Sequence, residues 1–132
     1  MTVKTTKYFY HHTGIPTTES RPGERYSSTF KMYTSGGSDT EFRVQYHRFE
    51  PGCPLHPLIQ TKQHIAFKVD NLAAAIDGKE IILDPYEPFS GFKVAMIVEC
   101  GMPIEFIETT LSEADIWKSD HKNSVIYPKD GS

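Results

Sequence analysis

Alternation of apolar and polar side chains is clearest in the second half of the chain. In His64-Ile-Ala-Phe-Lys-Val69 it sets Ile65, Phe67 and Val69 on one face and His64, Ala66 and Lys68 on the other, which predicts a strand with a core face and a second, different face. Asn71 then stands where it can cap a short helix over Leu72–Ile76. Ala73–Ala75 suit close packing on a sheet, and Gly78 can end the helix in the left-handed conformation. Strands are predicted at about Lys79–Asp84, Phe92–Val98 and Pro103–Glu108, divided by turn signals at Pro85, Pro88-Phe-Ser-Gly91 and Cys100-Gly101. On the last of them Ile104 and Phe106 form the apolar face and Glu105 and Ile107 point the other way. Glu108 shares the Ile104 face, which places it at the sheet edge or on a dimer surface.

The first half repeats this order loosely. Residues 7–13, Lys-Tyr-Phe-Tyr-His-His-Thr, predict a strand ended by Gly14 and Pro16, with Tyr8, Tyr10 and His12 on one face and His11 on the opposite face, a supporting donor at best. Residues 17–28, rich in Pro, Gly and small polar side chains, predict a loop with at most a short helix around Glu24–Ser28. Phe30 and Met32 alternate with Lys31 and Tyr33 before Gly36-Gly37, as in a strand and turn. Glu41 to Glu50 predicts a longer strand stopped by Pro51-Gly52, with Arg43, Gln45 and His47 on one face.

Residues 53–62 lack a Gly/Ser tract and read as a crossover between halves that pack together, one module over about 7–52 and the other over about 63–110. The tail, 111–132, has a possible helix start at Ser112 and a single tryptophan, Trp117, that can dock on the body. From Lys118 onward its polar sequence suggests fraying.

At 132 residues the chain fits one domain, able to bury about two thirds of its unfolded surface. A net charge of −3, from 14 Lys+Arg scattered among 17 Asp+Glu, supplies no basic stripe for a nucleic acid. Cys53 and Cys100 are far apart and match neither a zinc knuckle nor a secreted disulfide framework, so reduced thiols and a cytoplasmic location are expected. No apolar run is long enough to span a bilayer, and Met1-Thr-Val-Lys-Thr-Thr-Lys-Tyr8 has no apolar leader core.

Alternation puts His64 and Glu105 on one concave face. With His12 on the matching face of the first half, two imidazoles and a carboxylate converge where the halves meet, a suitable set of divalent-metal ligands. Gln45 or His47 can add a fourth, and spacing alone does not choose between them. Without sulfur such a set leaves open positions and suits Zn, Ni, Co, Fe(II) or Mn. Isolated histidines and glutamates near strand ends are usually surface residues, and His56 and His121, in loop-like sequence, receive no role. Lys68, Arg43 and Lys93 are available to hold an anionic substrate, although solvated charge is their ordinary state.

The residues His64-Ile-Ala-Phe-Lys-Val-Asp-Asn-Leu72, the strand order that follows, Gly101-Met-Pro-Ile-Glu-Phe-Ile-Glu108 and His12-Thr-Gly-Ile15 resemble the vicinal oxygen chelate superfamily. That group includes glyoxalase I, methylmalonyl-CoA epimerase, extradiol dioxygenases, and fosfomycin and bleomycin resistance proteins. The resemblance covers most of residues 8–110. It implies an α+β fold of paired βαβββ modules forming an open, cupped mixed sheet, here with a reduced first helix. It also implies a divalent metal ion held by His12, Gln45, His64 and Glu105, a set more like the epimerase branch than the His-Glu-His-Glu pattern of bacterial glyoxalase I, and a homodimer.

Two functions are then expected. In the first, the protein is a lyase or isomerase in which the metal binds two oxygens of a small substrate and stabilises an enediolate, with Glu41 or His47 as the base. An extradiol-type oxygenase, which uses three protein ligands, two His and one Glu, gains weight as an alternative if Gln45 does not ligate. In the second, the cup is a metal-free binding pocket of the bleomycin-resistance type, in which Tyr8, Tyr10, Phe42 and Tyr46 sequester a planar or apolar ligand.

Overall fold

The computed structural model describes residues 7–118. Its eight strands make one mixed sheet curled into an open half-barrel, with few and short helices, an α+β architecture. In chain order the elements are β1 (Phe9–Pro16), β2 (Arg25–Ser27), β3 (Met32–Gly36), β4 (Val44–Phe49), α1 (Pro57–Thr61), β5 (His64–Lys68), α2 (Leu72–Ile76), β6 (Glu80–Phe89), β7 (Phe92–Glu99), β8 (Met102–Thr109) and α3 (Glu113–Trp117).

The strand order β2-β3-β4-β1-β5-β8-β7-β6 has an internal symmetry. Each half opens with a strand that pairs in parallel with the half's last strand, β1 with β4 and β5 with β8. The two opening strands meet antiparallel at the centre. The repeat expected from the sequence is therefore present as two four-stranded modules joined edge to edge.

The second module follows the sequence closely. Asn71 Oδ1 accepts from the Ala74 N–H at 3.0 Å and so caps α2, and Gly78 turns the chain at a φ of 73°. Glu108 is not at an edge: its Oε1 accepts from the Leu72 N–H at 2.7 Å, satisfying a donor that the first turn of a helix leaves free. β6 runs on through Pro85 and Pro88, which had read as turn signals. It is an edge strand paired only with β7, with register shifts along its length, and an edge is where a sheet tolerates proline.

The first module departs further. The expected short helix around Glu24–Ser28 is instead the strand β2, antiparallel to β3. β1 continues through Gly14 to Pro16, and β4 starts only at Val44, because 41–42 form a turn and Arg43 has a φ of 51°. The crossover contains α1, whose N-cap His56 accepts from the Leu58 N–H at 3.1 Å. The largest departure is a bulge in β1: Tyr10 pairs with Phe67 and His12 with Ala66, leaving His11 as an extra residue. Alternation therefore switches at His11. Tyr8 packs on Phe67 and Phe106, with ring centroids 6.0 and 5.6 Å apart, while His11 and His12 are both buried.

In the second module both faces of the sheet carry apolar clusters. On the outer face α2 covers Val69, Ala95, Ile97 and Phe106 through Leu72 and Ala75. Inside the curl, Ala66, Phe89, Phe92, Val94 and Ile107 pack with Ile116 of α3. Trp117 seats against Gly37, where a Cβ would overlap its ring. No helix among the described residues is long and apolar enough to cross a membrane. His121 and the expected fraying after Lys118 lie outside the described residues.

Candidate metal centre

The symmetry of the sheet assembles the site. At the β1–β5 junction His12 pairs with Ala66 and Gly14 with His64, so the two histidines sit on adjacent strands, each one residue from the central Thr13–Ile65 pair. Across the parallel pairs, Gly14 aligns with Gln45 and Ala66 with Glu105. Gln45 and Glu105 thus occupy equivalent places, each opposite the residue two positions after a module's histidine. A side chain at 14 would collide with the His64 ring, and glycine leaves that space open.

His12, His64 and Glu105 converge. Their ligand-type atoms all lie within 4.8 Å of one another; Glu105 Oε1 is 3.1 Å from His12 Nε2 and 3.5 Å from His64 Nε2. Glu105 Oε1 is nonetheless buried without a hydrogen-bond partner. Ligand atoms at about 2.1 Å from a shared cation stand about 3.0–3.4 Å apart at angles between square and tetrahedral. The donor set suits a divalent ion, and the two Glu105 separations lie close to that range. Burial alone would raise the Glu105 pKa, but the two facing imidazoles outweigh it and hold the carboxyl well below the usual carboxylate range.

Gln45 lines the same cavity and is 5% exposed. His47, two residues on, also lines it; its ring stacks on His64 at 5.5 Å. Thr34 Oγ1 is 3.1 Å from His47 Nδ1, whereas His47 Nε2 is buried with no partner. Burial, with the nearby His64 and His12, pushes its pKa down to about 3, so the ring is neutral near neutral pH.

Other expected residues lie elsewhere. Glu41 is exposed in the turn before β4, away from the cavity. Arg43 Nε donates to the His11 carbonyl at 2.5 Å, Lys68 Nζ is 3.7 Å from Glu113 Oε2, and Lys93 is exposed; none of the three lines the cavity. Nor do Tyr8, Tyr10, Phe42 or Tyr46. Tyr10 and Phe42 are on the surface, where the Tyr10 hydroxyl donates to the Phe42 carbonyl at 2.6 Å, and the Tyr46 ring lies under the Arg21 guanidinium.

Two contributors were missed. His11, assigned to the far face, is 1% exposed and lies against His12, because the bulge turns it inward. Glu113 of α3 reaches His11 Nε2 at 2.9 Å. Only the helix start at Ser112 and the lone Trp117 hinted that this segment docks.

The cluster forms the polar floor of a cavity of about 90 Å³ whose walls are mainly apolar, among them Met32, Phe49, Leu83, Phe89, Met96 and Trp117. No lysine or arginine lines it. No family model matches the chain, and no curated protein matches it.

Proposed function

We propose that the protein is a divalent-metal-dependent lyase or isomerase of the vicinal oxygen chelate type, acting on a small substrate with two neighbouring oxygens. The observation that carries this reading is the convergence of His12, His64 and Glu105, with Gln45 at the register-equivalent fourth position, on the floor of a concave apolar cavity. Active and binding sites favour such cavities with a few converging polar groups.

A divalent ion there supplies Lewis-acid stabilisation of the negative charge that develops on substrate oxygens when an adjacent C–H bond loses its proton. The chain's own residues do the rest. His12, Gln45, His64 and Glu105 hold and orient the ion, a set without sulfur that keeps positions open for substrate and does not distinguish Zn, Ni, Co, Fe or Mn. His47, with Nδ1 engaged by Thr34 and Nε2 unpaired, is the base best placed to take the proton. The apolar walls disfavour water and select a small, uncharged body, in a volume worth about three waters. A cytoplasmic homodimer is part of the same reading; both cysteines are unpaired.

The test is solvent deuterium exchange followed by NMR, with neutral α-hydroxyketones and hemithioacetals offered to metal-loaded protein. Exchange at the carbon beside the chelating oxygens, absent in His64→Ala, is the expected result. Tight ligand binding without exchange, and indifferent to metal, overturns it and favours a second reading supported by the same apolar walls, a metal-free pocket of the bleomycin-resistance type.

A further inference from the structure

At the proposed centre the second nitrogen of one ligand is engaged by protein rather than left to solvent. His12 Nδ1 lies 2.8 Å from His11 Nδ1, and His11 Nε2 lies 2.9 Å from Glu113 Oε1. Two facing ring nitrogens at that distance share one proton. When His12 Nε2, the nitrogen near Glu105, binds a cation, the His12 proton sits on Nδ1 and is donated to His11 Nδ1. His11 then carries its own proton on Nε2 and donates it to the Glu113 carboxylate. One carboxylate at the far end is enough to set both tautomers.

The rest of the surroundings hold this chain in place. The Trp117 indole stacks on His11, with centroids 5.5 Å apart and an interplanar angle of 1°, and its Nε1–H donates to the same Glu113 Oε1 at 3.2 Å. Arg43 Nε donates to the His11 carbonyl. All but Arg43 belong to β1 or to α3, the short tail helix, so the tail reaches the centre through two imidazoles.

We propose that Glu113 is a positioning residue of the metal centre: acting through His11, it holds His12 in the tautomer and orientation that present Nε2 to the cation, and so couples docking of α3 to metal affinity. This rests on the reading of His12, His64 and Glu105 as a metal site. Partners that fix a ligating histidine in this way are typically worth about 10–100-fold in affinity.

The test is Co²⁺ titration of metal-stripped full-length protein, read by visible absorption, with apo melting temperatures measured alongside. Glu113→Leu is expected to bind Co²⁺ about 10–100-fold more weakly than wild type. Glu113→Gln, which keeps an acceptor oxygen in place, is expected to lose less, at an apo melting temperature close to wild type. The Glu113 side chain is 44% exposed, so neither change opens the core. Equal affinity in wild type and Glu113→Leu overturns the coupling and leaves the metal centre standing; if Glu113→Leu does not fold, equal affinity in Glu113→Gln does the same. No Co²⁺ binding by wild type overturns the centre itself, and the inference with it.

Discussion

The His64 imidazole lies directly over Gly14, its antiparallel partner at the β1–β5 junction, so that a Cβ at position 14 would overlap the ring. Glycine is required here for space and not for backbone freedom, since Gly14 is not among the residues with positive φ. Gly14→Ala is expected either to strain the junction by about 1–3 kcal/mol or to swing His64 off the cluster. Chemical denaturation and metal titration on the same sample check this. A variant with unchanged stability and unchanged metal affinity would show that the ring does not need that place.

Glu105 Oε1 is buried between His12 Nε2 at 3.1 Å and His64 Nε2 at 3.5 Å, which outweigh the cost of burying its charge, and a cation would take over that role. Glu105→Gln loses the attraction of the two imidazoles for the carboxylate and is therefore expected to melt lower than wild type near neutral pH when both are stripped of metal. With metal in about hundredfold excess over the dissociation constant, wild type should gain about 2.7 kcal/mol, and the variant far less. Thermal scans with and without Zn²⁺ distinguish these cases, and an equal gain in both proteins counts against Glu105 as a ligand.

Much of the second module could be read from sequence because its signals are local. Asn71 as a cap, Gly78 as a stop and the strict alternation of β5 and β8 all act within a few residues of themselves, and the placement of Glu105 beside His64 followed from them. What sequence could not supply was set by distant partners. The bulge at His11 depends on how β1 pairs with β5, and parity errors propagate from it to Tyr8 and Tyr10. β2 is only three residues long and depends on pairing with β3. Pro85 and Pro88 fit a strand only because β6 is an edge, which is a property of the assembled sheet. Glu113 meets His11 across 102 residues of chain.

α2 offers a control remote from the cavity. Asn71→Ala removes the acceptor for the Ala74 N–H and is expected to cost about 1 kcal/mol of stability, leaving metal affinity as in wild type. Urea denaturation beside metal titration separates the two, and a coupled loss of metal would mean that α2 supports the centre directly.

Glu24 and Arg48 provide a pH-dependent contribution. Arg48 Nη2 and Nε reach the Glu24 oxygens at 2.7 and 2.9 Å, and hydrogen bonding to that guanidinium holds the Glu24 carboxyl below its ordinary value of 4.5. A carboxyl depressed in the folded state adds stability that is complete above its ordinary value and is lost as pH falls through the folded value. Glu24→Gln should therefore be less stable than wild type near neutral pH. The gap should close in acid. A gap independent of pH would assign the loss to packing.

The central claim is tested most directly by metal content. Purified untagged wild-type protein and His64→Ala, each exposed separately to Zn, Ni, Co and Mn and then dialysed, are measured by plasma mass spectrometry. The account predicts about one tightly held divalent ion per wild-type chain for at least one metal, and its loss in the folded variant, because His64 supplies one of the three converging donors. Wild-type protein that retains no stoichiometric metal under any of these conditions would contradict it.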